Sequence, residues 1–311
     1  MPFAIGGSAR IRTNIPAENA YNALEMSSRE ISLRQLRLST GKRINNAADD
    51  VAGYITYKAL DARNSSMKAA LNAVGDALNV TNILMDSLDN VSNLLNQIKT
   101  STANAASGAL GTSERVALAK AAYRLAQQIQ TIADSTVFGG RQLLSGSFSA
   151  NFVIGTDGAN NLLTLTVDMS TNNVDFNVDS NNFDINAMKV NVFAGVTNLD
   201  MSSFNSVSAT NLGIFDDASL SLTLTSLSDA IDNVNKVASY LGGVSNRMSS
   251  QEDLIKNQVT NYDAAISRIQ DADIAQEQLQ LIKAQFLQQS SLASLAQANA
   301  NPQAFLKLIQ G

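Results

Sequence analysis

Apolar residues recur along most of this chain in alternating steps of three and four. Ala20, Leu24, Ser27, Ile31 and Leu38 share one stripe, interrupted by Arg34 between Ile31 and Leu38. Ala77, Val80, Leu84, Leu88, Val91, Leu95 and Ile98 form a second stripe, and Leu118, Ala122, Leu125, Ile129 and Ile132 a third. Ile231, Val234, Ala238, Leu241, Ser245, Met248, Glu252, Ile255, Val259, Tyr262, Ile266 and Ile269 continue the pattern. Such spacing marks helices with narrow coiled-coil seams rather than the broad apolar face of a globular helix.

The pattern sets the elements. Thr13 or Asn14 opens a first helix, with Pro16 tolerated in its first turn. A second helix runs from about Asp50 to Ser107. At ~55 residues it would be ~80 Å long, so its partners must be equally long helices. Gly108 and Gly111 break it, and a third helix covers about Ser113 to Asp134 before a stop at Phe138-Gly139-Gly140. Helical period returns near Leu220 or Leu227, with Gly242-Gly243 loosening it locally, and Asp271–Asp273 is a break and restart. Ile274–Ala300 is the last helix, with Ala275, Leu279, Ile282, Phe286, Gln289, Ala293 and Ala296 on one stripe and Leu292 and Leu295 alongside. Only Glu277, Lys283 and Lys307 are charged from Ile274 onward, so this helix alone would expose a sticky surface.

Two stretches depart from the helical pattern. Leu38–Gly53 crowds small, polar and charged residues into a bent connector. Gly41 and Gly53 give it backbone freedom, Asn45 and Asn46 favour turns, and Asp49-Asp50 stand where a helix would be capped. In the middle, Asn151–Gly155 and Leu162–Asp168 read as strands around a hairpin loop at Thr156–Asn161. Val174–Val178, Phe183–Ile185 and Met188–Phe193 are further short strand candidates in an Asn/Ser/Asp-rich segment.

Composition narrows the chemistry. The chain has no Cys, His or Trp, which excludes thiolate chemistry, imidazole acid–base work and the common zinc sites. Gly41-Lys42 lacks the upstream Gly and preceding strand of a phosphate loop. Asp49-Asp50, Asp216-Asp217 and Asp271/Asp273 have no third converging ligand and read as caps and turns. No catalytic, cofactor or metal site is therefore expected. The net charge of −5 hides a basic first segment, with seven Lys/Arg against three Glu in residues 1–43, and an acidic middle, with eight Asp against Lys189 in residues 150–217. No nucleic-acid reading motif accompanies the basic end, so charge matching between subunits is the expected use. Met1–Ala9 does not read as a secretory signal, and Ala284–Leu306 is too rich in Gln, Ser and Asn to span a membrane. The chain is expected to be soluble, or exported without cleavage.

The expected fold is mainly α: a long antiparallel helical bundle or coiled-coil rod with paired terminal helices and a small β-hairpin-rich insertion in the middle. Residues 1–43 and 274–311 would form an inner terminal-helix domain. Residues 44–146 and 218–273 would form a helical rod with the connector at 38–53, and 147–217 a solvent-facing β-rich insertion.

The chain resembles bacterial flagellins. Leu38-Ser39-Thr40-Gly41-Lys42-Arg43-Ile44-Asn45 followed by Asp49-Asp50-Val51-Ala52-Gly53 is similar to the family's connector, and Ile11-Arg12-Thr13-Asn14-Ile15 to its opening. Phe138-Gly139-Gly140-Arg141-Gln142-Leu143-Leu144 resembles its Phe-Asn-Gly turn. Ser267-Arg268-Ile269, Asp271, Asp273, Leu295-Ala296-Gln297-Ala298-Asn299, Pro302-Gln303, Leu306 and Ile309 resemble its C-terminal block. The likeness covers roughly 10–146 and 218–311, with both ends in order.

The resemblance implies a structural subunit that self-assembles into the extracellular flagellar filament for motility, without catalysis. It implies a homopolymer, an export chaperone on the C-terminal helix, and filament cap and hook-junction proteins as partners, with no membrane insertion. Leu24, Ile31, Leu38, Leu279, Ile282, Phe286, Leu292, Leu295, Leu306 and Ile309 are the expected subunit-packing residues. Gly41, Arg43, Asn45, Asp49, Asp50 and Gly53 would fix the connector. Three features depart from the family: the lead Met1–Arg10 is longer, the middle is short, and Gln97-Ile98-Lys99-Thr100-Ser101 stands where an innate-immune receptor site with Arg and Glu is expected. Altered Gln97, Lys99 and Thr100 imply weak receptor activation. The rival readings are a hook–filament junction protein and a non-polymerising coiled-coil adaptor.

Overall fold

Asn14 starts the first helix as a cap: its Oδ1 accepts from the Ala17 backbone N–H at 3.3 Å, and Pro16 sits in the first turn. Helix α1 (Ile15–Thr40) ends on Gly41, whose φ of 69° is the left-handed conformation that closes many helices. Helix α2 (Val51–Ala105) is 55 residues long, α3 spans Thr112–Ser135, α5 Asp217–Gln270 and α6 Ile274–Gln310. A four-residue helix α4 (Ser203–Ser206) lies between α3 and α5. The computed structural model describes residues 13–156, 162–170, 192–194, 196–197, 199 and 201–310, with the backbone alone at 156, 192, 193 and 197 and beyond Pro302.

The strands form hairpins. β1 (Val137–Phe138) pairs with β2 (Arg141–Gln142) across Gly139 and Gly140, both at positive φ, so the expected stop at this turn is a tight hairpin. β3 (Ser149–Thr156) pairs antiparallel with β4 (Leu162–Asp168), and β5 (Val192–Phe193) with β6 (Val196–Thr197). Leu165 and Val167 are buried as their alternation requires, while Leu163, beyond a register shift at Val153/Gly155, is exposed. The loop at 157–161, the strand candidates Val174–Val178 and Phe183–Ile185, most of Met188–Phe193 and the lead Met1–Arg10 lie outside the described residues.

The chain divides into two compact units, Met1–Asn64 with Thr260–Gly311, and Ser65–Val259. The division falls within α2 and α5, so both turns that link the terminal helices to the long ones belong to the first unit.

In the Ser65–Val259 unit the core follows the α2 stripe: Ala77, Val80, Leu84, Leu88, Val91, Leu95 and Ile98 are all buried. Helix α3 differs from the expected stripe. It buries Arg115, Ala119, Ala122, Ala126, Ile129 and Ala133, while Leu118, Leu125 and Ile132 are only partly covered. Alanines let helix axes approach closely, so the small face packs inward and the leucines flank it. Arg115, buried on that stripe, binds Asp217 at the start of α5 with a 2.7 Å ion pair. Gly242-Gly243 does not interrupt α5, because buried Leu241 and Val244 anchor the backbone on either side. Phe204 of α4 packs edge-on against Phe215 at 5.6 Å, and the Asn233 amide donates to the Ala194 carbonyl at 2.7 Å, tying the middle segment to the helices.

Candidate assembly interface

Helices α1 and α6 lie antiparallel. The contacts that show it run from Asn14 with Ala298, through Ser28 with Gln288, to Arg34 and Arg37 with Glu277. On α1 Ala20 and Ser27 are buried and Leu24, Ile31 and Leu38 half-buried, so these three, expected at contacts between subunits, are already partly covered within the chain. On α6 the inward stripe is Glu277, Leu281, Ala284 and Ala298, with Leu295 half-buried. The apolar stripe read from the sequence points the other way. Leu279 is 63% exposed, Ile282 58%, Phe286 71% and Leu292 50%.

At 100° per residue Leu279, Ile282 and Phe286 stand roughly opposite the inward stripe, and Leu292 flanks it. Electrostatics decides which turns inward. Arg34 breaks the α1 seam, and Glu277 is the sole acidic residue of α6. Glu277 takes Arg34 at 2.9 Å and Arg37 at 3.2 Å, and Arg34 also reaches Glu30 at 2.9 Å. The Glu277 hydrogen bond raises the Arg34 pKa further above its already high ordinary value. Burying Glu277 with its partners fixes the rotation of α6 and leaves the leucine–phenylalanine face uncovered.

The far end of the pair is held by backbone chemistry. Pro302 lies inside α6 and has no N–H, so the carbonyl four residues back, Ala298, loses its helical donor. The Asn14 amide donates to that carbonyl at 2.9 Å while its oxygen caps α1. This substitution of donors explains why α6 continues to Gln310, past the end expected at Ala300.

The connector is built as the sequence implies and holds a neighbour the sequence did not show. Asp49 Oδ2 accepts from the N–H groups of Asn46 at 2.9 Å and Asn45 at 3.0 Å, and these donors hold its carboxyl below the usual carboxylate range. Asp50 caps α2 by accepting from Gly53 N at 3.0 Å. A Cβ at Gly53 would lie 2.5 Å from Asp50 Oδ2 and 2.7 Å from Ile44 Cδ1, so any side chain there must displace those side-chain ends. Gly41 O accepts from Ala272 N at 2.9 Å, Arg43 N donates to Gln270 O at 2.6 Å, and the Arg43 guanidinium reaches Ile269 O at 2.8 Å. Lys42 and Asp271 are bridge partners, so the turn after α1 and the turn before α6 are stitched side by side. Asp273 caps α6 through the N–H groups of Ala275 and Gln276.

Three features were therefore invisible one at a time: the Glu277 clamp, the Asn14–Ala298 bond and the stitched turns. The signals that find them are paired anomalies, an Arg inside one seam with a sole acid opposite, and a Pro inside one helix with an Asn at its partner's start. Gln97 and Thr100 are exposed and Lys99 half-buried on α2, with Ile98 fully buried between them. The side chains of Leu306 and Ile309 lie outside the described residues. No helix among the described residues is long and apolar enough to cross a membrane, and no group of three or more potential metal ligands occurs among them.

Two long helices, a stitched terminal pair and hairpins inserted between α3 and α5 define a helical-bundle protein whose ends form their own unit. The family model for the bacterial flagellin N-terminal helical region matches residues 11–149, and that for the C-terminal helical region matches 224–309. The chain belongs to the bacterial flagellin family, whose members are structural proteins of the flagellar filament. It is 26% identical over 310 residues to the flagellin of Bacillus subtilis (strain 168), covering 97% of this chain and 100% of that one. It is 24% identical over 380 residues to polar flagellin C of Vibrio parahaemolyticus serotype O3:K6, covering 96% and 99%. Among solved structures it shares its fold with a putative flagellar hook-associated protein from Vibrio parahaemolyticus, with a TM-score of 0.54 and 15% identity over 72% of this chain and 100% of that one.

Proposed function

We propose that this chain polymerises into the flagellar filament that drives motility, and that the outward face of α6 is the main contact between copies. The observation that carries this reading is the two-sided helix. One face is used up inside the chain by Glu277, Leu281 and Ala284, the opposite face presents Leu279, Ile282 and Phe286 to solvent, and Leu292 is exposed beside them. Covering those four side chains is worth roughly 4–7 kcal/mol per chain. That only reaches the lower part of the cost of association. A second exposed set on the connector side, Leu36, Val51, Ile55 and Ile274, supplies the remainder when it is covered too.

Residues 1–43 and 274–311 then serve as the assembly domain, and the hairpin-bearing middle is the solvent-facing part of the subunit. Before assembly the same α6 face is what an export chaperone would shield, and copies at the ends of the polymer would meet cap and hook-junction proteins. Gln97, Lys99 and Thr100 lack the Arg and Glu of the receptor-binding pattern, so activation of a flagellin-sensing immune receptor is weak; full potency in a reporter assay would refute that assignment.

Electron microscopy after seeded assembly tests the main reading. The full chain forms long helical filaments, and a version lacking 1–43 and 274–311 stays monomeric. A full chain that stops at monomers or short rings would move the reading to a junction protein or an adaptor.

A further inference from the structure

The long helices are not buried evenly along their length. From Ala70 to Ile98, α2 buries an apolar side chain at every turn, and α5 does the same from Leu227 to Met248. Between Tyr57 and Ala70 the one buried residue of α2 is Asn64, which is 3% exposed. Between Ile255 and Gln270, α5 has no fully buried residue, only half-buried ones such as Val259, Tyr262 and Ile266. Asn64 stands seven residues from Tyr57 and seven from Leu71, on the stripe that α2 otherwise fills with apolar side chains. Its Nδ2 donates to Oδ1 of Asp263, an exposed residue of α5. Its own Oδ1 is buried and meets no donor among the described residues. An unpaired buried carbonyl is destabilising, and few apolar contacts surround this one to offset it.

We propose that Asn64 uncouples the two ends of α2: the helix pair opens locally here, and opening that starts in the terminal unit stops at this point instead of spreading into the core. Helices α2 and α5 run unbroken through both compact units, and helix cooperativity alone would make each melt as one piece. The terminal unit ends at Asn64 and begins again at Thr260, so the uncoupling residue and its partner Asp263 lie at its edge. A seam asparagine bonded at both ends of its amide fixes pairing at some loss of stability. Asn64 is bonded at one end only, so it loosens the seam rather than locking it. Regions with few buried apolar contacts are those that open without global unfolding. The device belongs to the free chain and operates whether or not the chain polymerises.

Hydrogen exchange read by mass spectrometry on the full chain tests this, comparing peptides within 58–69 and 258–269 with those within 74–95 and 227–248. In the native chain the first set exchanges faster, by roughly tenfold or more. Asn64→Leu, close to Asn in shape, slows the first set by roughly tenfold and leaves the second unchanged. Asp263→Ala takes away the acceptor of the amide and speeds the first set, and most of that effect is gone in the Asn64→Leu background. Native exchange as slow around Asn64 as in the core overturns the proposal. So does Asn64→Leu exchanging no more slowly than the native chain, or an Asp263→Ala effect of equal size in both backgrounds. All readouts are taken on the unassembled chain, so a failure here leaves the filament reading intact.

Discussion

Asn14 and Pro302 are separated by nearly the whole chain, yet the structure makes them one unit, and Asn14→Asp tests it. Asp is as good an N-cap as Asn, so the bond from Ala17 N survives. What disappears is the Nδ2 donor to the Ala298 carbonyl, replaced by a carboxylate oxygen facing an acceptor. A lost hydrogen bond of this kind is worth about 1 kcal/mol, and an unsatisfied, partly buried carbonyl raises the loss to about 1–3 kcal/mol. Pro302→Ala acts from the other side. It restores the N–H that bonds Ala298 inside the helix and removes a penalty of about 3 kcal/mol for proline in a helix interior. In the Pro302→Ala background Asn14 is no longer the carbonyl's necessary donor, so Asn14→Asp costs little there. The double-mutant cycle therefore has a coupling of about 1–2 kcal/mol. Hydrogen exchange on the amides of residues 15–24 and 290–300 reads it directly, as about a tenfold change in protection for each 1.4 kcal/mol. An Asn14→Asp penalty of equal size with and without Pro302→Ala, or absent from both backgrounds, would show that the amide does not replace the missing helical donor.

Other perturbations separate the roles of the remaining parts. Phe286→Asp abolishes filament formation while the α1–α6 pair still forms, whereas Leu24→Asp also loosens the pair because Leu24 is half-buried inside it; sedimentation and circular dichroism of the two variants distinguish the outcomes, and normal filament yield from Phe286→Asp contradicts the interface assignment. Glu277→Gln removes the anion that Arg34 and Arg37 share, leaving Arg34 only the exposed Glu30, and destabilises the terminal pair by about 2–4 kcal/mol, measured by chemical denaturation; a loss below about 0.5 kcal/mol would make the clamp no better than a surface ion pair. Gly53→Ala forces Asp50 or Ile44 to move and costs about 1–2 kcal/mol after the gain in helix propensity, so a thermally stabilised variant would contradict the steric account. The Asp49 carboxyl has a folded-state pKa below its unfolded value, so its contribution is present above about pH 4 and is lost as pH falls through the folded value. The stability difference between the native chain and Asp49→Asn accordingly shrinks on acidification from pH 6 to about pH 3, and a difference that grows would reverse the sign of the linkage.

The residue pattern exposes the regular parts of this fold and hides the parts that depend on two distant segments. The α2 core could be read residue by residue because Val80, Leu84, Leu88, Val91 and Leu95 have no competing stripe. Helix α6 has two stripes of similar apolarity, and spacing alone does not say which one meets α1. That choice belongs to Glu277, whose meaning depends on Arg34 and Arg37 more than two hundred residues away. In α3 the leucines outweigh the alanines on any hydropathy scale, yet close helix packing favours the alanines. The connector's caps were legible because Asp49 and Asp50 bind their own neighbours; its stitching to Gly41–Ala272 and Arg43–Gln270 was not, because backbone donors carry no residue signature.

The turns stitched at Gly41 and Ala272, with the helix pair beyond them, also close the longest loops of the chain's described contacts. In the Ser65–Val259 unit, Ser87 meets Thr136 across 49 residues, Ala194 meets Asn233 across 39, Arg115 meets Asp217 across 102, and Thr81 meets Met248 across 167. In the terminal unit, Arg43 meets Ile269 across 226 residues, Arg34 meets Glu277 across 243, and Asn14 meets Ala298 across 284. Ring closure over such distances costs about 5 kcal/mol of chain entropy from the unfolded state, and less once the intervening residues are already compact. Compaction of the Ser65–Val259 unit therefore shortens the loop that the α1–α6 pair has to close and favours pairing of those helices after it. The devices described on α1, from the Asn14 amide to the Arg34–Glu277 pair, thus act only once α6 is beside it.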